Sequence, residues 1–380
     1  MSRMKKIPKL ILINLFVFIL LLVLIEALLH IIPPFDRFIT YADAEIRGEN
    51  DFPNGEYTYV GNNIGMISKF KVHVKNNSLG FHDKEYSFIK KPGVKRIIVL
   101  GDSQVEAVQV DLSGTFHKIL EKKLNNDGFN VEVIALGKSG YGIKEAIDLY
   151  ENIGKKYDPD IVIWSFTNNN DIQDTDRKFG RIIVDRKLKD LAAIPDFLKF
   201  SKIATYLYTR EWIFQNSSPT EFVDTTIFNG EFSYINGISN WDQIVFLKYW
   251  PPLFNQIRDS FSKYYLDFIE KVHSDGKILI TISSSGAYPF FLLKSNENIE
   301  WDFDKPNRIV EELSNKNSVR FLSMKSTYDL YIKKTAKDVV FPFDGHLNEI
   351  GHELVAEAMY PEIKHLLNSG NTISFQKETK

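Results

Sequence analysis

The sequence predicts an α/β fold built around a parallel sheet, on three observations. Short apolar runs of strand length recur along the chain, helical patterns separate them, and the early runs end directly in polar loops. Arg96–Leu100 is the first such run, an Arg-Ile-Ile-Val-Leu segment stopped by Gly101. Phe116, Ile119, Leu120 and Leu124 follow at helical spacing, with Ser113 or Thr115 as the N-cap. Val131–Ala135 reads as the second strand, and Ile143 opens the second helix. Asp158-Pro159-Asp160 introduces the third strand, Ile161–Phe166. Ile278–Ile282 and Val319–Leu322, each preceded by a helical stretch, complete the set. Strands this uniformly apolar are buried on both faces, as parallel strands are.

Composition narrows the function. The 380 residues suit one large domain or two ordinary ones, and 44% hydrophobic with 25% charged residues excludes wholesale disorder. The net charge of −2 argues against nucleic acid as a partner, because such binding needs a basic face. With no cysteine, disulfides, thiolate metal sites and cysteine nucleophiles are all excluded. Any nucleophile is an oxygen or a nitrogen.

Leu10–Ile32 is apolar except for Asn14, Glu26 and His30. As a helix it would extend about 35 Å, enough for a hydrocarbon core of about 30 Å. Arg3, Lys5, Lys6 and Lys9 precede it, and Pro33 and Pro34 stop it. Positive charge on that side places the N-terminus in the cytoplasm and the rest of the chain outside. A cleavable signal peptide is the competing reading, but no Ala-x-Ala-like site stands near Ala27. The expected organisation is a cytoplasmic tail at 1–9, a transmembrane signal anchor at 10–32 and a loop-like lead-in at 33–92. A main domain follows at 93–370, interrupted by an insertion at 172–258, and a tail closes the chain at 371–380. The insertion is rich in aromatics such as Trp212, Phe222, Trp241, Tyr249 and Trp250, which read as a small core of their own.

In open parallel sheets ligands bind beyond the carboxyl ends of the strands. The loops there read Gly101-Asp102-Ser103-Gln104, Gly137-Lys138-Ser139-Gly140-Tyr141-Gly142 and Asn168-Asn169-Asn170-Asp171. A fourth cluster, Phe343-Asp344-Gly345-His346-Leu347-Asn348, precedes the last amphipathic helix. Familiar cofactor motifs fail on spacing. Gly137-Lys138-Ser139 lacks the upstream glycine of a phosphate loop, since position 132 is Glu. His352-Glu353 lacks the second histidine of a zinc protease, since position 356 is Ala. No cofactor and no metal is expected. What remains suits acyl transfer. A serine hydroxyl needs a base, normally a histidine oriented by a carboxylate, and the oxyanion needs fixed donors. Ser103 supplies the hydroxyl, His346 the base and Asp344 the orienter, with the Gly140 N–H and the Asn170 amide as oxyanion donors. Ser103's own N–H would be a third donor. His352 reads as a helix-face residue, while His73, His82, His117, His273 and His365 have no partner that the sequence identifies.

These four clusters, in this order, resemble the SGNH hydrolase (GDSL-like) superfamily. Gly101, Asp102 and Ser103 match its first block, Gly140 its second, Asn170 and Asp171 its third, and Asp344 with His346 its last. The run Asn77-Ser78-Leu79-Gly80-Phe81 is similar to the lead-in of membrane-anchored members. The resemblance covers roughly residues 75–175 and 340–365. It implies a three-layer, flavodoxin-like parallel sheet with helices on both faces, and an esterase, deacetylase or lipase acting on an ester-bearing glycan or lipid. Acyl transfer to an envelope polysaccharide is the alternative, with a membrane acyltransferase as partner supplying the acyl group. A catalytically silent envelope scaffold is a third. Two departures stand out: only Gly345 separates Asp344 from His346, where most members have two residues, and Asn168 replaces a family glycine, adding bulk beside the oxyanion donor.

Overall fold

A computed structural model describes residues 6–31, 53–61, 70–175, 201, 245–250, 252–284, 300–341 and 345–369. Helix α1 (Lys6–Ile31) opens it. Strands β1 (Glu56–Gly61) and β2 (Phe70–Lys75) then form an antiparallel pair. The lead-in was expected as loop, so this pair is a correction. Val72 and Val74 alternate with Lys71, His73 and Lys75, a period-2 signal too short to stand out in the sequence. Tyr59, Val72 and Val74 are buried with Val108 in a small core separate from the main one.

The main sheet contains all five expected strands: β3 (Lys95–Gly101), β4 (Val131–Gly137), β5 (Ile161–Phe166), β6 (Ile278–Ser283) and β7 (Arg320–Ser323). Their order is β4-β3-β5-β6-β7, and every neighbouring pair is parallel. Numbered within the sheet this is the flavodoxin-like order 2-1-3-4-5, whose switch point lies between β3 and β5. Alternation along each strand divides the core. Ile98, Leu100, Ile134, Leu136, Val162 and Trp164 face one side, and Ile97, Val99, Val133, Ala135, Ile161 and Ile163 the other. The first side is covered by α4 (Ile143–Asn152), α6 (Pro252–Ser274) and α7 (Lys305–Lys316). The second is covered by α3 (Phe116–Asn126), α8 (Lys325–Thr335) and α9 (Glu349–Asn368). Two short helices at the strand ends, α2 (Ser103–Glu106) and α5 (Asp171–Asp174), belong to the site.

Two features of the lead-in secure the sheet. β4 is an edge strand, and side chains occupy its free backbone groups. Asn125 takes both the N–H and the C=O of Val131, Glu121 accepts from Val133 N–H, Tyr86 donates to Val133 C=O, and Asp83 accepts from Ala135 N–H. An edge saturated in this way offers no template for a further strand. The second feature is Arg96, whose side chain is 1% exposed. Its Nε donates to Glu132 at 2.7 Å, and its Nη atoms donate to the carbonyls of Ser87, Phe88, Ile89 and Tyr157. The first residue of the predicted strand therefore clamps the lead-in across the amino ends of the sheet.

The segment expected as an insertion, 172–258, is described only in part. Residues 176–200 and 202–244, with Trp212, Phe222 and Trp241, lie outside the described residues. Val245, Phe246, Leu247 and Trp250 are buried in the main core, and α6 already runs from Pro252. This part of the insertion is a piece of the domain's core because its aromatics pack on Phe254 and Phe303. Helix α1 takes in most of the predicted anchor, and its described side chains at 13–28 are exposed except for the half-buried Glu26. Among the described residues no helix is long and apolar enough to cross a membrane.

Candidate active site

The site is built where β3 ends. Asp102 caps the helix that follows, accepting the Gln104 N–H at 3.0 Å, so the chain turns from strand to helix at once and Ser103 is its first residue. Gly137 lies beside Gly101 in the β3–β4 register, and a Cβ there would come within 2.5 Å of the Glu106 nitrogen. Glycine is what lets α2 rest on the strand ends.

The histidine arrives on a loop from the far end of the chain. Val340 and Leu347 bridge antiparallel, with Phe341 N–H donating to His346 C=O at 2.8 Å and Asn348 N–H to Val339 C=O at 3.1 Å. Asn348 also caps α9, accepting Gly351 N–H at 3.0 Å. This loop sets His346 Nε2 2.8 Å from Ser103 Oγ, within hydrogen-bond reach for a nucleophile and its base. Asp344, expected to orient the imidazole, lies outside the described residues.

Gly140 occupies the third position of a turn closed by Tyr141 N–H on Lys138 C=O at 3.0 Å, with φ of +80°. That φ is the type II requirement, which favours glycine. The turn is fastened to the serine helix by Glu106, whose carboxylate accepts both the N–H and the hydroxyl of Ser139. The Glu106 carbonyl in turn accepts from His82 Nδ1 at 2.8 Å. Sequence reasoning missed both residues, because a glutamate at the end of a helix reads as solvated and nothing local links His82 to a carbonyl 24 residues away.

Beyond β5, the Asn170 amide nitrogen lies 3.3 Å from Asp102 Oδ2 and 2.9 Å from Asp174 Oδ2. Thr167 hydroxyl donates to Asp102 Oδ1 at 3.0 Å, and its N–H to Asp171 Oδ2 at 2.7 Å. Burial raises the pKa of Asp102, against the pull of its hydrogen bonds and of His346. Burial raises Asp171 well above the usual carboxylate range, and the negative charge of Asp102 adds to the rise. Asn168, two residues before Asn170, is buried.

Behind the site lie two buried histidines. His352 is on a helix face, the inward one of α9. It is 1% exposed, its Nδ1 accepts Phe116 N–H at 3.2 Å, and its ring stacks on Phe116. Burial first, then the neighbouring His346 and His82, push its pKa down to about 3. His117 is equally buried, contacts Thr115 Oγ1 through Nδ1 at 3.3 Å, and is held well below the ordinary range, chiefly by burial. Both rings fall on the buried stripes of their helices, His352 with Val355, Ala356 and Met359 on α9 and His117 with Leu120 and Leu124 on α3. Among the described residues no group of His, Asp and Glu is arranged to hold a metal ion.

Comparison with known proteins adds the following. No family profile and no curated protein matches the chain. Among solved structures it is similar to the acetyl xylan esterase AlAXEase, at 16% identity over 70% of this chain and 99% of that one, with a TM-score of 0.40. It is similar to a lipase/acylhydrolase from Enterococcus faecalis, at 12% identity over 71% and 96% of the two chains, with a TM-score of 0.42. A member of the lipolytic protein G-D-S-L family from Veillonella parvula aligns at 12% identity over 72% and 100%, with a TM-score of 0.39. Likeness at this level says nothing about chemistry, which rests on this chain's own residues.

Proposed function

We propose that this protein is a serine-dependent acyl-ester hydrolase, acting outside the cytoplasm from a membrane anchor. The observation that carries the chemistry is the Ser103 Oγ to His346 Nε2 contact of 2.8 Å, made across 243 residues of sequence at the carboxyl end of β3. A serine brought to an imidazole beside the sheet's switch point is placed where this sheet order presents ligands. Ser103 Oγ bonds to the acyl carbon while His346 Nε2 takes its proton. The tetrahedral intermediate then collapses, and the alcohol leaves with that proton. Water repeats the sequence and releases the acid. Asp344 is the carboxylate that would orient the imidazole. The Gly140 N–H and the Asn170 amide are the oxyanion donors, and the substrate oxygen competes with Asp174 for the Asn170 hydrogen. The anchor reading rests on the exposed apolar side chains from Ile13 to Leu28 and on the basic residues before them.

The test is labelling with a fluorophosphonate probe, combined with hydrolysis assays on acetyl and longer acyl esters. Labelling at Ser103 that is lost in Ser103→Ala, with matching ester turnover, is the expected result. A folded wild type that neither labels nor turns over any ester would remove the hydrolase reading and leave a silent scaffold.

A further inference from the structure

The contact between Ser103 and His346 has a companion one residue along each chain segment. Gln104 Oε1 accepts the Leu347 N–H at 3.2 Å, and both residues are buried, at 4% and 1% exposed. Neighbouring bonds explain why Leu347 turns its N–H this way. In the Val340–Leu347 bridge the ladder uses Phe341 N–H on His346 C=O and Asn348 N–H on Val339 C=O. The Leu347 N–H therefore points away from that ladder, toward α2, where Gln104 meets it. Among the described residues, further hydrogen bonds of the histidine loop run to its own base, at Asp338, Val339, Val340 and Phe341, and to the start of α9 at Gly351. Those bonds set the shape of the loop and leave its distance from the serine open.

We propose that Gln104 is a positioning residue that sets the Ser103–His346 distance by tethering the histidine loop to the serine helix. Two adjacent residues on α2 thus meet two adjacent residues on the loop, one pair reactive and one pair structural. A backbone N–H does not titrate and cannot rotate out of reach, so the tether holds whatever the protonation state of the imidazole. A base must lie within about 2.6–3.2 Å of the proton it abstracts, and a misplacement of about 1 Å costs up to 10²-fold in rate. This inference rests on the hydrolase reading for its kinetic consequence but not for its geometry.

The test uses Gln104→Met, which keeps length without an acceptor, and Gln104→Glu, which keeps an acceptor oxygen. On the full chain, Gln104→Met should lower kcat and probe labelling about tenfold with KM unchanged, and Gln104→Glu should restore most of the rate. A second measurement needs no turnover. The His346 Nε2 resonance should shift when Ser103→Ala removes the hydroxyl from the wild-type background. In the Gln104→Met background it should not respond, because the ring has already left Oγ. A wild type without ester turnover would count against the hydrolase reading while this spectrum still judged the tether. An undiminished response to Ser103→Ala in Gln104→Met would overturn the proposal. So would unfolding of both Gln104→Met and Gln104→Asn, since the residue would then matter only for stability.

Discussion

Asn170 sits between two carboxylates, Asp102 and Asp174, and that setting sharpens what its loss should do. As the proposed oxyanion donor, it would contribute to the chemical step and little to substrate binding. Asn170→Ala is expected to lower kcat by about 10²–10³-fold, with KM and thermal midpoint nearly unchanged. Asn170→Asp should be at least as harmful, because it adds a third carboxylate where negative charge must develop. A variant that mainly melts would instead make Asn170 a structural link. His352 supports a prediction of a different kind. Its folded-state pKa of about 3 lies below the ordinary histidine value of 6.5, so the unfolded chain binds a proton that the folded one refuses. Stability therefore declines as pH falls from about 6.5 toward 3, by about 2 kcal/mol at pH 5 from this group alone. His352→Asn keeps an acceptor for Phe116 N–H without the titration. Urea midpoints at pH 7 and pH 5 should converge in the variant relative to wild type, and parallel losses in both proteins would refute the assignment.

Among the elements, the lead-in carries more of the fold than its composition suggests. Arg96 binds four carbonyls and Glu132 from a buried position, so its loss strands a carboxylate and several C=O groups together. Arg96→Met is expected to cost about 3–5 kcal/mol, the range for breaking a buried pair, read as a lowered urea midpoint. Because three of those carbonyls belong to Ser87, Phe88 and Ile89, the same variant should open the Lys90–Lys91 bond to trypsin before global unfolding. An unchanged midpoint with unchanged cleavage would mean that the clamp is dispensable. The polar caps along β4 work in the same direction, since Asp83, Tyr86 and Glu121 join the lead-in, α3 and the edge strand in one network.

At the scale of the whole molecule, the site lies at the carboxyl ends of the strands and the Arg96 clamp at their amino ends. An extracytoplasmic site requires everything after Ile32 to be outside. A reporter fused after Lys380 should be active only outside the cytoplasm, and the protein should stay with membranes through a carbonate wash. Release of a shortened soluble form would revive cleavage of a signal peptide.

The five strands and their parallel arrangement are legible in the sequence, because strands buried on both faces must be apolar. The apolar run Ile161–Phe166 coincides with β5, and two of the motif loops supply the Ser103 and His346 that meet at 2.8 Å. The β1–β2 pair escaped because its buried residues are few and interleaved with lysines. The tertiary structure alone decided which polar residues are buried. Gln104, Glu106 and Arg96 look like surface residues in sequence, and each is inside because a partner distant in sequence satisfies it. Periodicity records which side chains avoid water by themselves. It carries no trace of those that leave water only when a backbone from elsewhere in the chain arrives to meet them.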